Sequence, residues 1–251
     1  MKSKKKRQGG RLSDTFSHVK KEYFLFFSTI FFDLLFVLGI SLLGLLLGNI
    51  TRWGISFFVP ALLGYLILGV VLYSSLKFAV MRVIKKIVEG SGFIWKGFLG
   101  FLSLNLIIMS VLLALFLILS SLLYAVVIPE QKTLMIRLLF VVFLFLGYPF
   151  LNFCHSAYMK SFSVPRSMPQ GFKSLIKASK YLKMYGFSIL ALLAYFSAYA
   201  ALAFVLDGLV FNNLLSQYSR PYNLIFFIIT FFVVYIILAF NRIYLYMVSD
   251  A

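Results

Sequence analysis

Residues 23–50 read YFLFFSTIFFDLLFVLGISLLGLLLGNI, a run of 28 residues in which Asp33 is the only charged side chain. As an α-helix this run would extend about 42 Å at 1.5 Å per residue, which exceeds the roughly 30 Å of bilayer hydrocarbon. It is also longer than the ~7–15 apolar residues of a cleavable signal peptide. The run therefore predicts a first membrane span that is retained as a signal anchor.

Five further apolar segments follow the first one along the chain. Of the 251 residues, 62% are hydrophobic and 12% are charged, and the mean hydropathy is +0.99, whereas apolar residues make up about half of a soluble domain. We therefore predict an all-α, polytopic transmembrane helix bundle with six spans. The predicted spans lie near residues 23–50, 55–76, 98–127, 138–158, 184–206 and 224–240.

The basic residues are distributed unevenly between the two ends of these spans. The tail 1–22, the two long links and the C-terminal segment hold eight, five, six and one Lys or Arg, while the three other loops hold four of the 24. The positive-inside rule then places both termini, including residues 248–251, on the cytoplasmic side of the cell membrane. The net charge of +17 is attributed to topology rather than to nucleic-acid binding. The charge and Gly9-Gly10 predict a disordered tail.

Both long cytoplasmic links carry amphipathic helical patterns. In the first link, cationic side chains share one face of a helix and apolar side chains share the other, and Gly90-Ser91-Gly92 provides the stop. In the second link, lysines recur at spacings of four and three. We predict two interfacial helices whose partners are membrane lipids with anionic headgroups. The predicted headgroup-binding residues are Arg82, Lys85, Lys86, Lys173, Lys177 and Lys180.

The stretch GFKSLIKASKYL at residues 171–182, with the span that follows it, resembles a pattern of uncharacterised bacterial and archaeal six-span membrane proteins. It is also similar to the membrane domain attached to some glycerophosphodiester phosphodiesterases. In those families a basic amphipathic segment leads into a span in each half, and here residues 55–206 show such a degenerate duplication. The resemblance implies the six-span architecture. It implies no catalytic residue, because the phosphodiesterase domain is absent from this sequence.

Residue types that support catalysis are scarce. The chain has seven acidic residues, two histidines and one cysteine, whereas acid–base catalysis needs positioned, paired groups. Cys154 and His155 are adjacent, but a zinc site normally has three or four ligands, so we expect structural roles for both. We therefore expect a non-enzymatic protein without a metal or a cofactor.

Asp33 is the candidate functional residue within a span. An ionisable side chain inside a membrane either serves transport or pairs with a cation near the interface, and we favour the second role. We accordingly favour a scaffold, accessory or lipid-interacting protein of a prokaryotic membrane. The alternative is a small transporter or channel for a lipophilic or cationic solute. A polar cavity around Asp33 would favour transport, and a packed apolar bundle would favour the scaffold. The polar side chains to be located are Asp33, Asn105, Ser110, Asn152, Ser188 and Ser197.

Overall fold

The computed structural model describes residues 12–50, 55–92, 96–177, 179–205 and 219–249 of the chain. These residues form helices, a short 3-10 turn at Pro129–Gln131 and brief connections, with no strand in the described ranges. The helices are α1 (Leu12–Lys21), α2 (Tyr23–Ile50), α3 (Ile55–Glu89), α4 (Phe98–Val126), α5 (Lys132–Ser161), α6 (Val164–Ile176), α7 (Ser179–Val205) and α8 (Ser219–Val248).

Within the described ranges, six helices are long and apolar enough to cross a membrane, namely α2, α3, α4, α5, α7 and α8. Large apolar side chains along these helices are exposed, such as Leu45, Leu117 and Phe227. Such exposure is expected where lipid surrounds the protein, since a helix satisfies its own backbone hydrogen bonds. The prediction of an all-α, multi-pass membrane protein is confirmed.

Helix α3 continues without interruption through the first of the two long links. The second span was predicted to end near residue 76, with a separate interfacial helix after it, but the helix runs on to Glu89. No glycine or proline stands between Leu76 and Glu89 to end it, and Gly90 then adopts a positive φ of 67°. The first amphipathic segment is therefore the last part of a spanning helix.

Helix α6 is short and separate from its neighbours. It begins after Phe162, which adopts a left-handed conformation with φ 51°, and it has Pro165 in its first turn. The helix ends at Ile176, and Lys177 has non-helical angles of −79° and 73°. The second link was predicted to be one continuous helix, but Lys173 lies in α6 and Lys180 lies in α7. The three lysines thus do not form one helical stripe.

Part of the basic tail is ordered. Residues 12–21 form α1, although the tail was predicted to be disordered; residues 1–11 lie outside the described ranges. Thr15 is fully buried, and the ring of Phe16 lies 4.6 Å from that of Phe240 and 5.7 Å from that of Phe187. The prediction failed because the apolar side chains of this segment recur at helical spacing between the charges, and α7 and α8 offer a surface for them.

The buried core lies at one end of the bundle, which we call the core end. There the N-terminal parts of α2, α4 and α7 meet the C-terminal parts of α3, α5 and α8. Side-chain bonds join neighbouring helices at this end: Tyr246 Oη donates to Glu89 Oε1 at 2.5 Å, and Lys160 Nζ donates to the carbonyl of Ser249 at 2.6 Å. The described polar side chains that are buried also belong to this end, so it is the place to look for a site.

Candidate functional site

A polar cavity of about 300 Å³ lies between α2, α3, α5 and α8 at the core end. Its volume falls at the lower limit of ligand pockets, which range over ~300–1,000 Å³. One carboxylate, two cations, an amide and three tyrosines face it among apolar side chains. The lining residues are Asp33, Phe36, Tyr73, Leu76, Lys77, Tyr148, Leu151, Asn152, Tyr235, Leu238 and Arg242.

Asp33 and Arg242 form an ion pair in the wall of this cavity. Arg242 Nη1 donates to Asp33 Oδ2, and the two residues are 209 positions apart in the chain. The side chain of Arg242 is 10% exposed and that of Asp33 is 14% exposed. Asp33 therefore has the pairing role that the sequence favoured, with Arg242 as its partner. The Nε atom of Arg242 is buried and makes no hydrogen bond with the described part of the protein.

Lys77 is the second cation of the cavity, and its hydrogen-bond partner is neutral. The side chain is 8% exposed, and Nζ donates to Asn152 Oδ1 at 3.1 Å. The amide of Asn152 is oriented by its own donation to the carbonyl of Tyr148 at 2.8 Å. Among the described residues no carboxylate forms an ion pair with Lys77. The amino group of Lys77 is thus held in place by a dipole, while the carboxylate of the cavity, Asp33, is bonded to Arg242.

The charges that line the cavity sum to one formal positive charge. Asp33 offsets Arg242, and Lys77 is left over. A charged side chain inside a membrane is costly, by about 2.5–3.5 kcal/mol on insertion scales, unless a partner or water compensates it. The lining therefore carries an excess of one formal positive charge.

Ser74, Asn105 and His155 form a second buried polar cluster. It lies next to the cavity, because Ser74 follows Tyr73, a lining residue, on α3. Asn105 on α4 donates from Nδ2 to Ser74 Oγ at 3.0 Å, and Asn105 Oδ1 lies 2.6 Å from Nε2 of His155. These three residues are fully buried, and the ring of His155 lies 4.8 Å from that of Phe101. The cluster fixes α3, α4 and α5 to one another behind the cavity wall.

An apolar cavity of about 390 Å³ adjoins the polar one, between α5, α7 and α8. Tyr148 and Leu238 line both cavities, and Tyr148 Oη donates to the carbonyl of Leu238 at 3.2 Å. This hydrogen bond forms part of the wall between them. Two of the polar side chains of the second cavity, Ser188 and Asn241, bond to each other at 2.9 Å.

Only some of the polar side chains that the sequence indicated lie at or near the two cavities. Asp33 and Asn152 line the polar cavity, Ser188 lines the apolar one, and Asn105 lies in the cluster behind them. Ser110 and Ser197 are exposed on the outer surfaces of their helices. Of the two arrangements considered from the sequence, the described residues show a cavity with polar side chains around Asp33.

The cations predicted to bind headgroups have different surroundings. Arg82 is 5% exposed, and its Nη2 donates to the carbonyl of Lys96 at 2.5 Å. Lys85 donates to the carbonyl of Met159 at 2.7 Å. This placement differs from the predicted headgroup-facing one, because α4 and α5 pack over the end of α3.

Three of the remaining predicted cations have their placement described. Lys86, Lys173 and Lys177 are exposed, while the side chain of Lys180 lies outside the described residues.

The structure adds cavity residues that the sequence did not indicate. Lys77 was assigned to a link and Arg242 to a tail, because each follows the last residue of an apparently complete apolar span. Both helices continue beyond these cations, to Glu89 and Val248. The signal that would have indicated burial is the apolar sequence on both sides of each cation.

Cys154 and His155 have structural surroundings. Cys154 is buried against Gly171 of α6, where a Cβ atom would lie 3.2 Å from the backbone nitrogen of Cys154. Within the described residues, no group of three His, Cys, Asp or Glu side chains is placed to hold a metal ion.

Comparison of the chain with protein-family models, with curated proteins and with solved structures finds no match.

Proposed function

We propose that this chain is a non-enzymatic, multi-pass membrane protein that binds a small anion-bearing solute in the polar cavity and transports it. The observation that carries the proposal is the buried amino group of Lys77, which faces the cavity with a neutral amide as its hydrogen-bond partner. An anionic group placed between Lys77 and Arg242 would supply the missing counter-charge. In a low-dielectric interior such a contact is stronger than the same contact in water.

The Asp33–Arg242 pair leaves one formal positive charge in the cavity for a solute to compensate. Asp33 occupies Arg242 as an internal counter-ion. With an anion bound, the charges that line the cavity and that of the solute would sum to zero, so that no charge would be left uncompensated inside the membrane.

This proposal differs from the scaffold that the sequence favoured and from a transporter of cations. The scaffold required a packed apolar interior, whereas the core end contains the polar cavity. A cationic solute would face two cations and a carboxylate that is already paired. The lipophilic solute considered from the sequence remains compatible with the cavity, provided that it carries a negative group.

The variant Lys77→Gln tests the proposal. It should fold at least as well as the parent, because it removes a buried charge without leaving another one unpaired. We expect phosphate and acetate to raise the thermal unfolding midpoint of the purified parent, and to have at least tenfold weaker affinity for the variant. Exposed Lys86→Gln is the matched control and should bind like the parent. Equal binding by parent and Lys77→Gln, or stabilisation by guanidinium instead of anions, would contradict an anion site.

We propose, in addition, that the core end faces the cytoplasm and that the exposed cations there contact anionic headgroups of a prokaryotic cell membrane. The charge bias supports this orientation. The meeting of the ends of α3, α5 and α8 through the bonds of Glu89 and Lys160 supports a common side of the membrane for these three ends. Lys86, Lys173 and Lys177 would each contribute about 1 kcal/mol of attraction to an anionic surface.

Reporter fusions test this orientation. Fusions after Lys183 and after Val248, the last residue of α8, should both report a cytoplasmic position, and a fusion after Asn212 should report an external one. The measurement is the ratio of alkaline phosphatase to green fluorescent protein activity at each site. An external signal after Lys183 would refute the six-span arrangement with cytoplasmic termini.

A further inference from the structure

The two adjoining cavities differ in chemistry and share a wall. The polar cavity carries the charges of Asp33, Lys77 and Arg242, whereas the second cavity is lined almost entirely by apolar side chains of α5, α7 and α8. Tyr148 and Leu238 contribute to both. A ligand that filled both cavities would therefore have a charged end and an apolar end.

The polar groups of the second cavity are occupied within the protein. Asn241 Nδ2 donates to Ser188 Oγ at 2.9 Å, and Tyr185 Oη donates to the carbonyl of Phe145 at 2.5 Å while its ring stacks on that of Phe145 at 4.2 Å. These groups have little capacity left to recognise a polar ligand. What the cavity offers is apolar surface, whose burial stabilises a bound alkyl chain by roughly 25 cal/mol per Å².

The second cavity is accessible from the lipid. Three of its lining residues, Val141, Leu144 and Ile189, are more than half exposed on helices that span the membrane. A chain can thus reach this cavity laterally, without crossing water. The third cavity, of about 320 Å³ between α4, α5 and α6, is also apolar, but it shares no lining residue with the polar cavity.

We infer that the solute is a single-tailed anionic amphiphile, whose headgroup lies between Lys77 and Arg242 and whose tail lies in the second cavity. The inference rests on the proposed anion site and names its substrate class. The hydroxyl of Tyr148 lies at the junction, so its bond to Leu238 must yield when head and tail bind together. A carboxylate and a phosphate headgroup share the required charge.

The test measures equilibrium binding of radiolabelled ligands to the full-length protein in nanodiscs, above the binding to empty nanodiscs. The ligands are acetate, octanoate, dodecanoate, inorganic phosphate and dodecyl phosphate, with dodecyltrimethylammonium as the opposite-charge control. Affinity should rise by roughly fourfold for each methylene that the second cavity buries. The ammonium amphiphile should not bind specifically. The two dodecyl ligands distinguish a carboxylate headgroup from a phosphate one.

Variants that fill one cavity at a time test whether the tail of the ligand lies in the second cavity. Val234→Trp fills the second cavity, and Val111→Trp fills the third as a matched control. Val234→Trp should retain acetate binding and lose the gain in affinity with chain length, whereas Val111→Trp should behave like the parent. Leu192→Phe, a smaller filling of the same cavity, replaces Val234→Trp if that variant does not fold.

Two results would overturn the inference. The first would leave the proposed anion site valid, and the second would not. If dodecanoate binds to Val234→Trp as tightly as to the parent, or if it binds to the parent no tighter than acetate does, the tail does not occupy the second cavity, while the anion site stands. If no ligand shows binding that depends on Lys77, the proposed function itself fails.

Discussion

Replacing Asp33 by Asn should lower the free energy of unfolding by about 3–5 kcal/mol, the usual cost of removing one partner from a buried ion pair. The reason is that Arg242 would remain inside the bundle without its counter-charge, next to Lys77. The measurement is equilibrium or thermal unfolding of the purified protein in one detergent. Ser41→Ala, an exposed position on the same helix, is the matched control and should change stability by less than ~0.5 kcal/mol.

The double variant Asp33→Asn with Arg242→Gln completes a thermodynamic cycle. It should be more stable than the sum of the two single variants predicts, by ~2 kcal/mol or more, because the neutral pair leaves neither charge unpaired. Additive losses would show that the two residues do not stabilise the fold as a pair.

Added anions provide an independent observation on the same variant. Phosphate should stabilise Asp33→Asn more than it stabilises the parent, because the anion would then replace the lost carboxylate opposite Arg242. Ligand that binds only the folded state stabilises it according to its concentration relative to Kd. If phosphate has no larger effect on this variant, the cavity does not exchange Asp33 for an external anion.

Replacing Arg82 by Gln should also be costly, by about 2–4 kcal/mol, although the sequence predicted a headgroup-facing residue. The guanidinium lies between the rings of Phe78 and Phe162, at 5.0 and 4.8 Å from their centroids. It also donates to the carbonyl of Lys96. A desolvated cation–π contact contributes up to about 2 kcal/mol, and a hydrogen bond from a charged donor contributes about 1.5–3 kcal/mol.

Lys86→Gln is the matched control for Arg82→Gln, one turn away on the same helix. Lys86 is exposed, so its replacement should change the unfolding free energy by less than ~0.5 kcal/mol. It should instead weaken association with vesicles of anionic lipid, an effect that salt screens. Equal stability of the two variants would show that Arg82 does not join α3 to α4 and to the start of the α5–α6 connection.

The charged side chains at the end of α3 form hydrogen bonds with other parts of the core end. Arg82 and Lys85 donate to backbone carbonyls of Lys96, just before α4, and of Met159, near the end of α5. Glu89 accepts from Tyr246 near the end of α8. These bonds join the helices and connections of the core end to one another. Transport of the proposed anion toward that end would require some of them to break.

The number of spans and the all-α class could be predicted because both depend on local properties. A helix satisfies its own backbone hydrogen bonds, and the length of an apolar run determines whether it can cross the hydrocarbon. All six predicted spans correspond to helices among the described residues. The helix ends were less predictable, since Lys77 and Arg242 look like the first polar residues after a span and are buried.

The site was decided by the tertiary structure. The sequence singled out Asp33 as an ionisable residue in an apolar run, but its partner is 209 positions away. Which cation reaches it depends on the order of the helices around the bundle and on the rotation of each helix about its axis. Those quantities are set by side-chain packing between helices, which hydrophobic periodicity in a uniformly apolar span does not report. Packing between helices also explains why Arg82 and Lys86 differ. Both lie on the basic side of one helical pattern. Because α4 and α5 pack over the end of α3, Arg82 is buried, whereas Lys86 stays exposed.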